Sequence, residues 1–448
     1  MPKPPATIPD AAPDAAPDAA PDAAPDSGTA RGEILRVFGR IGLLSFGGPA
    51  AQIALMHKEL VEDRPWLSEA DFLRALSFCM LLPGPEAMQL ATYAGWKRAG
   101  VTGGLIAGLL FVIPGALVIF ALAALYAAYG GVPLVQALFL GIKAAVIVIV
   151  VQALVKVARR ALTGGLAYGI AGAAFVGIYA VQLPFPVIVL GAGVLGAVLM
   201  ARAAPDGGAV ARVPVAATVR TVAIWGAIWL LPLGALWLVD PGGLLAQVGL
   251  FFAKLAVVTF GGAYAVLAYM VQEVVGDYGW LSTAQMMDAL GLAETTPGPL
   301  ILVTQFVGFM AGAQAGGWAL GLAAALVTLW VTFAPCFLWI FAGAPYVDWI
   351  ASRPRLTGAL QAITAAVVGV ILNLSIWFSA HVLFGALDTL PVGPKAVLVP
   401  VWTSLDELAL GLTAVAGALI WGLRWDLMRV LPVMALAGLG ATWAIGGI

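Results

Sequence analysis

The sequence predicts an all-α integral membrane protein of two inverted-topology repeats, each with about six spans. A single linking helix joins the repeats, and a Pro-Gly-Pro motif breaks a helix in each. Three observations predict this class. The 448 residues are 62% hydrophobic and only 10% charged, whereas soluble domains carry about a quarter charged residues. Apolar runs of about twenty residues, long enough to cross a bilayer as helices, recur along the chain. A stretch that begins at Phe46 is repeated from Phe260.

Helices fit the apolar runs better than β-strands do, because the run at 134–155 has no alternating pattern. We predict spans near 32–57 and 71–96, further spans in both halves, and a lone span near 221–239. The chain then divides into a tail at 1–30, a first transmembrane repeat at 31–202, a linker with the linking helix at 203–243, and a second transmembrane repeat at 244–448.

The tail repeats Pro-Asp-Ala-Ala every four residues. Proline at every fourth position prevents a continuous helix, and the tail has too few large apolar side chains to form a core. We therefore predict a disordered, solvent-exposed segment. It lacks the apolar stretch of a signal peptide.

The duplication is specific. The sequence from Phe46 to Pro85 aligns without a gap to the sequence 214 positions later, and 18 of 40 positions are identical. The matched residues include glycines, prolines, acids and a tryptophan as well as apolar residues. An internal repeat of this kind predicts two copies of one structural unit.

Loop charges predict the orientation of the repeats. With a cytoplasmic N-terminus, nearly all loop lysines and arginines fall on the cytoplasmic side, and Arg64 is an exception on an outer loop. Basic residues follow the second and fourth spans of the first repeat, but the third span of the second repeat. This reversal predicts opposite orientations. We expect the matched loop acids Glu59 and Glu273 to be solvated.

Three cations within the spans are candidate anion ligands. Arg40 and Lys254 occupy matching places in the two repeats, and a cation inside a span usually faces a cavity or a partner. An inverted repeat would bring them together as a positive site, whereas snorkelling to the interface is the alternative. The third candidate, Lys143, lies deep in its own span, and its counterpart is Ile363.

Two Pro-Gly-Pro motifs must break the second span of each repeat, because a helix cannot run through two residues that lack the N–H donor. A half-helix then begins in mid-membrane, with free N–H groups and a positive dipole end at the break. Paired breaks indicate a transporter's binding site, and a plain kink is the alternative. The candidate substrate-binding residues are Pro83, Gly84, Pro85, Pro297, Gly298 and Pro299.

Paired glycines interrupt the first span of each repeat, in the sequences FGGP from Phe46 and FGGA from Phe260. Such glycines permit either local unwinding beside a substrate or close helix packing, and both interpretations stay open. The candidate substrate-binding residues here are Phe46, Gly47, Gly48, Pro49, Gly261 and Gly262.

Polar residues flank the Pro-Gly-Pro breaks. Glu86 follows the first break and Glu294 precedes the second, at depths where a lone carboxylate is unfavourable. They are candidate proton carriers, or ion-pair partners of Arg40 and Lys254. Candidate hydrogen-bond donors to an oxyanion, or else contacts between helices, are Gln89, Thr295 and Thr296.

The sequence predicts neither a cofactor nor a metal site. The two histidines lie far apart in sequence and supply too few ligands for a zinc site, and no CxxC motif is present. The sequence contains no phosphate-binding loop, so we do not expect ATP to be the energy source. No serine or cysteine has a histidine nearby as a base, so we do not expect an enzyme. No basic, aromatic-rich stretch suggests nucleic acid.

Four motifs together resemble the chromate ion transporter family in its long, two-domain form: FGGP from Phe46, Trp66-Leu67, LPGP from Leu82, and YAGW from Tyr93. The resemblance extends from about Gly32 through both halves. It implies a bacterial inner-membrane transporter that expels chromate and confers chromate resistance, with sulfate as the isosteric anion. It also implies a substrate path near the FGGP and PGP motifs. Ala263 and Thr296 depart from the family pattern, so strict functional symmetry of the halves is not implied.

We therefore expect secondary active export of chromate across the bacterial inner membrane, in exchange with protons or sulfate, by a protein with a cytoplasmic N-terminus. A tetrahedral dianion fits two cationic side chains and a pair of helix N-termini. An importer of sulfate or another oxyanion, or an anion channel, is the alternative. The expected partners are the oxyanion, the lipid bilayer and protons, and a homodimer stays open as an assembly.

Overall fold

The computed structural model confirms the predicted all-α membrane class. Six helical stretches are long and apolar enough to cross a membrane, and the remaining elements within the described part of the chain are shorter helices and one β-hairpin. Most of the predicted tail and most of the linker lie outside the described residues, which are 27–201, 214–260, 263–351, 353–392 and 395–446.

The first repeat and the linking helix contain eight helices within the described residues. Their elements are α1 (Ser27–Leu44), α2 (Gly48–His57) with a π-helical turn at Lys58–Glu62, α3 (Glu69–Leu81), α4 (Glu86–Tyr129), α5 (Pro133–Ala161), α6 (Gly165–Tyr179), α7 (Phe185–Leu199) and the linking helix α8 (Val215–Val239).

The second repeat has the same order of elements, with a short helix and a β-hairpin inserted. Its elements are α9 (Leu244–Val258), α10 (Ala263–Val271) with a π-helical turn at Gln272–Asp277, α11 (Thr283–Thr295), a 3₁₀ turn at Leu300–Leu302, α12 (Val303–Gly343), α13 (Val347–Ala351), α14 (Pro354–Leu383), the antiparallel strands β1 (Leu387–Val392) and β2 (Lys395–Pro400), α15 (Glu407–Gly417) with a π-helical turn at Ala418–Gly422, and α16 (Leu427–Ala444).

The helices before the Pro-Gly-Pro motifs begin and end at equivalent places. α3 and α11 each have 13 residues. Ser68 caps α3 and Ser282 caps α11, and each side chain accepts a hydrogen bond from the backbone N–H three residues later. Both helices stop just before the motif, because the prolines remove the donors that the next turn needs. The predicted helix breaks are therefore present.

The long helix α4 is a hairpin of two arms. Ala99 and Gly100 have non-helical backbone angles, and a Cβ on Gly95 would lie 2.3 Å from the carbonyl oxygen of Gly103. The first arm, 86–98, therefore packs back against the second arm, 101–129. In the second repeat α12 turns in the same way, at Gly316 and Gly317.

The first Pro-Gly-Pro segment enters the membrane and returns to the side from which it came. Lys97, at the end of the first arm of α4, lies 2.8 Å from Asp71 at the start of α3. Hydrogen bonds from Lys97 and Arg74 hold the pKa of Asp71 at about 2, so this contact persists at physiological pH. A 13-residue helix is about 20 Å long, too short for a hydrocarbon core of about 30 Å. The prediction of one crossing span over 71–96 is therefore wrong.

The segment around the first Gly-Gly motif also turns back. The ring of Phe38 in α1 lies beside that of Trp66, with 6.3 Å between ring centroids, although Trp66 follows α2 and its π-helical turn. In the second repeat Phe252 and Trp280 are 6.4 Å apart in the same way. Each repeat thus begins with two consecutive re-entrant hairpins. The two spans that the sequence predicts at these places are not full crossings of the membrane.

These hairpins define two faces of the molecule. Arg98 pairs with Glu33 at 3.1 Å and lies over the ring of Trp66, so the starts and ends of both hairpins of the first repeat share what we call the first face. The second arm of α4 runs from there to the second face, where Tyr129 ends it. Arg64 therefore lies on the same face as Lys97, and the prediction that the two residues lie on opposite sides of the membrane is wrong.

The two repeats interleave. α5 packs against α15 and α16 of the second repeat, while α14 packs against α6 and α7 of the first. The equivalent helices α4 and α12 pack on each other in the middle, as do α5 and α14. One continuous apolar core therefore contains residues of both repeats. The opposite orientation of the repeats stays a prediction.

Candidate functional site

Reciprocal backbone hydrogen bonds join the breaks of one repeat to those of the other. The N–H of Gly84 donates to the carbonyl of Thr259 at 2.8 Å, and the N–H of Gly298 donates to the carbonyl of Ser45 at 2.8 Å. Each bond is the counterpart of the other, because Thr259 lies 214 positions after Ser45 and Gly298 lies 214 positions after Gly84. All four interrupted segments therefore meet inside the protein.

The backbone at the Pro-Gly-Pro tips requires glycine. Gly84 has φ +119° and Gly298 has φ +85°, values that a residue with a Cβ rarely adopts. A Cβ on Gly298 would also lie 3.4 Å from the Cα of Gly115. Gly115 is halfway along the second arm of α4, so the second tip lies near the middle of a membrane-crossing helix. The flanking residues of the two tips are Pro83, Pro85, Pro297 and Pro299.

The first Gly-Gly motif is also unwound. Gly47 and Gly48 have φ of +84° and +77°, and α2 begins there with Pro49 in its first turn. Proline fits this position because the first turn of a helix does not use its N–H. The equivalent Gly261 and Gly262, which the sequence also predicts as substrate ligands, lie outside the described residues.

Gln52 binds both sides of this junction. Its side-chain amide donates to the carbonyl of Gly298 at 2.7 Å and to that of Ser45 at 3.3 Å. Only 1% of Gln52 is exposed. The sequence analysis missed it because its counterpart is Val266. It also missed Ser45 and Thr259, although both carry a hydroxyl just before the Phe-Gly-Gly motif.

A cavity of about 270 Å³, which we call the central cavity, opens beside the junction. Phe46 and Gly47 of the first repeat and Glu294 and Thr295 of the second line it. Its volume corresponds to about nine water molecules, so a small tetrahedral anion fits. The remaining lining residues are apolar and belong to α5 and α16: Ile142, Leu427, Met428, Leu431, Pro432 and Ala435.

The two predicted proton carriers have different environments. Glu294 lines the central cavity and accepts a hydrogen bond of 2.9 Å from the hydroxyl of Tyr264. Glu86 starts α4 at the other Pro-Gly-Pro break, is half-buried and does not line this cavity. The two acids therefore do not form a pair, and Glu294 is the one beside the junction.

The predicted hydrogen-bond donors are already engaged with the chain. The amide of Gln89 donates to the carbonyl of Pro83 at 2.7 Å. Thr295 and Thr296 donate to carbonyls of their own helix, those of Leu292 and Ala293, at 2.8 and 3.1 Å. In this conformation Gln89 stabilises the first break, and Thr295 and Thr296 stabilise the end of the helix before the second. Of the three, Thr295 alone lines the central cavity.

Arg40 pairs with an acid of its own repeat. Its guanidinium lies 3.2 Å from Glu59, whose other oxygen is bound by Arg64. Glu59 is 2% exposed, so the prediction that it is solvated is wrong: two guanidinium groups compensate its burial. Lys254 is exposed and lies 5.3 Å from the ring centroid of Tyr269. Neither Arg40 nor Lys254 lines the central cavity.

Lys143 has a partner that the sequence analysis did not find. Its ammonium group lies 2.9 Å from Asp288 of the second repeat, and the hydroxyl of Tyr126 donates to the same carboxylate at 2.6 Å. The three residues line a second cavity of about 650 Å³. Asp288 is aligned with Arg74 in the duplication. The comparison of the two repeats therefore does not single out Asp288 as a matched acid.

Within the described ranges, no three His, Cys, Asp or Glu side chains lie close enough together to hold a metal ion.

The sequence is similar to known membrane transporters. The Chromate transporter family profile matches residues 32–197 and 246–442. The probable chromate transport protein of Synechococcus elongatus is 32% identical over 394 residues, which cover 87% of this chain and 95% of that protein. The chromate transport proteins of Cupriavidus metallidurans and Pseudomonas aeruginosa are 31% and 32% identical over 76% of this chain, and the matches cover 80% and 79% of their own lengths. No solved structure is significantly similar.

Proposed function

The chain belongs to the chromate transporter family, and we propose from this membership that it exports chromate by secondary active transport and so confers chromate resistance. The observation that carries the proposal is the reciprocal pair of hydrogen bonds, Gly84 to Thr259 and Gly298 to Ser45. Broken backbone at membrane depth is tolerated only beside protein or a cavity, and paired breaks at a repeat interface are typical of transporter binding sites.

The central cavity is the proposed binding site for the oxyanion. Helices α2 and α4 begin at the breaks of the first repeat, and α10 and α12 begin at those of the second. The amino end of a helix carries a partial positive charge and unpaired N–H groups. Four such ends around one junction favour a small dianion, and the apolar side chains of α16 line the cavity opposite the junction.

Two opposed orientations of one unit account for the packing. The re-entrant hairpins of the first repeat open at the first face, with Lys97 and Arg98 nearby. Those of the second repeat open beside Tyr126 and Gly130, at the second face. The positive-inside rule then makes the first face cytoplasmic. We propose an inverted repeat in the bacterial inner membrane, with a cytoplasmic N-terminus.

Export of a dianion is favoured by a membrane potential that is negative inside. Each charge contributes about 2.3 kcal/mol per 100 mV, so two charges contribute about 4.6 kcal/mol. Exchange with protons or sulfate adds to this driving force. Glu294 is the proposed proton carrier, because an ionised carboxylate in the central cavity would repel the dianion and its protonation removes that repulsion.

Inside-out membrane vesicles from a host without other chromate transporters test the proposal. Vesicles that contain the protein should accumulate radiolabelled chromate against its gradient, and dissipating the membrane potential should reduce the uptake. Uptake of sulfate by intact cells without chromate export would indicate an importer. Non-saturating chromate flux that merely follows the potential would indicate a channel. No chromate flux in either direction would contradict the proposal.

A further inference from the structure

A buried ion pair joins the two repeats next to the central cavity. Lys143 of α5 and Asp288 of α11 lie 2.9 Å apart, with only 17% and 8% of their side chains exposed. The hydroxyl of Tyr126 binds the second oxygen of Asp288 at 2.6 Å. The carboxylate thus has one charged and one neutral partner.

The pair faces the larger of the two cavities, which we call the second-face cavity because the α4–α5 turn at the second face forms its rim. Its volume is about 650 Å³. Among its described lining residues, Lys143 and Asp288 alone carry formal charges. The other polar residues around it are amides and hydroxyls: Tyr126, Gln136, Ser282, Gln285 and Gln314.

The same two helices separate this cavity from the central one. On α5, Ile142 lines the central cavity and Lys143 lines the second-face cavity. On α11, Glu294 lines the former and Asp288 the latter. Six residues along a helix are about 9 Å apart. The ion pair therefore lies on the partition between the two cavities.

We propose that the second-face cavity is a second oxyanion site, in which Lys143 exchanges Asp288 for a small tetrahedral dianion such as chromate. This inference rests on the proposed transport function. While the ion pair is closed, its charges cancel and the cavity offers no cation. When the dianion takes the place of one carboxylate oxygen beside the ammonium, Asp288 keeps its hydrogen bond from Tyr126, and amide N–H groups supply the remaining donors.

The competition makes the ion pair a gate. A buried ammonium group is strongly disfavoured without a partner, so Lys143 must bind either the carboxylate or the anion. Anion binding separates α5 from α11, and re-formation of the pair releases the anion to the second face. In an exporter this is the exit side, so Asp288 keeps the exit site weak and release fast.

Chromate binding to the solubilised protein tests the site. Chromate absorbs where indole emits, and Trp318 lines this cavity. Chromate should therefore quench the fluorescence of Trp318. The part of the quenching that is lost in Trp318→Phe reports occupancy of the second-face cavity. Asp288→Asn keeps an acceptor for Tyr126 but no longer competes for Lys143, so chromate should bind about tenfold more tightly. Lys143→Gln should abolish the Trp318 signal. Glu33→Gln, which breaks an ion pair at the first face, should match wild type.

The double variant Lys143→Gln/Asp288→Asn removes both charges and keeps a hydrogen-bonded pair. It replaces Lys143→Gln in the binding experiment if that single variant does not fold. It should also lack the Trp318 signal. Unchanged affinity in Asp288→Asn, or wild-type quenching in either Lys143 variant, would overturn the inference. Chromate flux by wild-type protein in liposomes separates the two proposals: wild-type flux together with unaltered quenching in Asp288→Asn would refute the gate alone, whereas no wild-type flux would refute the transport function.

Discussion

The backbone N–H of Gly84 and the carbonyl of Thr259 form a 2.8 Å hydrogen bond between the two repeats. Gly84 lies at a Pro-Gly-Pro tip, where no turn of helix can accept its N–H, and a buried N–H without a partner costs about 1–3 kcal/mol. The equivalent bond, from the N–H of Gly298 in the second repeat to the carbonyl of Ser45 in the first, satisfies the N–H at the other tip. When one repeat moves relative to the other, both hydrogen bonds must therefore break unless the bonded segments move together.

Gln52→Met should weaken this junction. The methionine is of similar size but donates no hydrogen bond, so the carbonyls of Gly298 and Ser45 lose the amide that binds them. We expect a loss of about 1–3 kcal/mol in the free energy of unfolding, measured by chemical unfolding in detergent. Gln247→Met is the matched control, because Gln247 donates to a backbone carbonyl at an exposed site. Equal effects of the two variants would contradict the role of Gln52.

Glu59→Gln should destabilise the first hairpin of the first repeat. The buried carboxylate binds Arg40 and Arg64, and its neutral replacement leaves both guanidinium groups without a counter-charge. Because the arginines are partly exposed, we expect about 1–3 kcal/mol, measured as a lower melting temperature. Glu69→Gln, where 59% of the side chain is exposed, should have little effect. A melting temperature unchanged by Glu59→Gln would show that the ion pair is unimportant.

Labelling of single cysteines distinguishes a re-entrant hairpin from a crossing helix. Glu62→Cys and Thr102→Cys flank the segment over α3 and the first arm of α4, and Val132→Cys lies at the second face; all three sites are exposed. In intact cells an impermeant thiol reagent should label Val132→Cys only. The native Cys79 and Cys336 are 0% and 1% exposed and should not react. Labelling of Glu62→Cys without Thr102→Cys would establish a crossing helix instead.

Glu294→Gln should separate chromate flux from the proton gradient. The amide keeps an oxygen that can accept the hydrogen bond from Tyr264, so the fold should persist, but it cannot take up a proton. We expect chromate flux in liposomes that a pH gradient no longer stimulates. Glu407→Gln, an exposed acid in the first turn of α15, should respond as wild type does. Undiminished stimulation in Glu294→Gln would exclude Glu294 as the proton carrier.

The breaks were predictable from the sequence because their cause is local. A proline lacks its N–H wherever it stands, so α3 and α11 must end where they do. The duplication likewise revealed which segments correspond. The return of the chain at each break was not predictable from hydropathy, because two half-length helices have the same composition as one crossing helix. The contact of Lys97 with Asp71 decides between them.

Partners of buried charges were the other failure of the sequence analysis. Arg40 and Glu59 are close because a re-entrant turn brings α1 beside the turn after α2. Lys143 meets Asp288 because α5 packs against α11 of the other repeat. Both contacts depend on packing between elements distant in sequence, and the internal alignment relates equivalent positions rather than neighbouring ones.

Chromate flux through the Gly298→Leu variant tests the central claim most directly. Gly298 has φ +85°, and a Cβ there would press on Leu302 and Gly115. The helical Gly172 has free space around it, so Gly172→Leu is the matched control. In liposomes, wild-type protein and Gly172→Leu should transport radiolabelled chromate at similar rates. Correctly inserted Gly298→Leu should transport chromate at least about a hundredfold more slowly, because the leucine side chain would obstruct the substrate path at the break and raise the barrier to transport by several kcal/mol. Wild-type flux in Gly298→Leu would contradict the claim that chromate passes where the two broken segments meet.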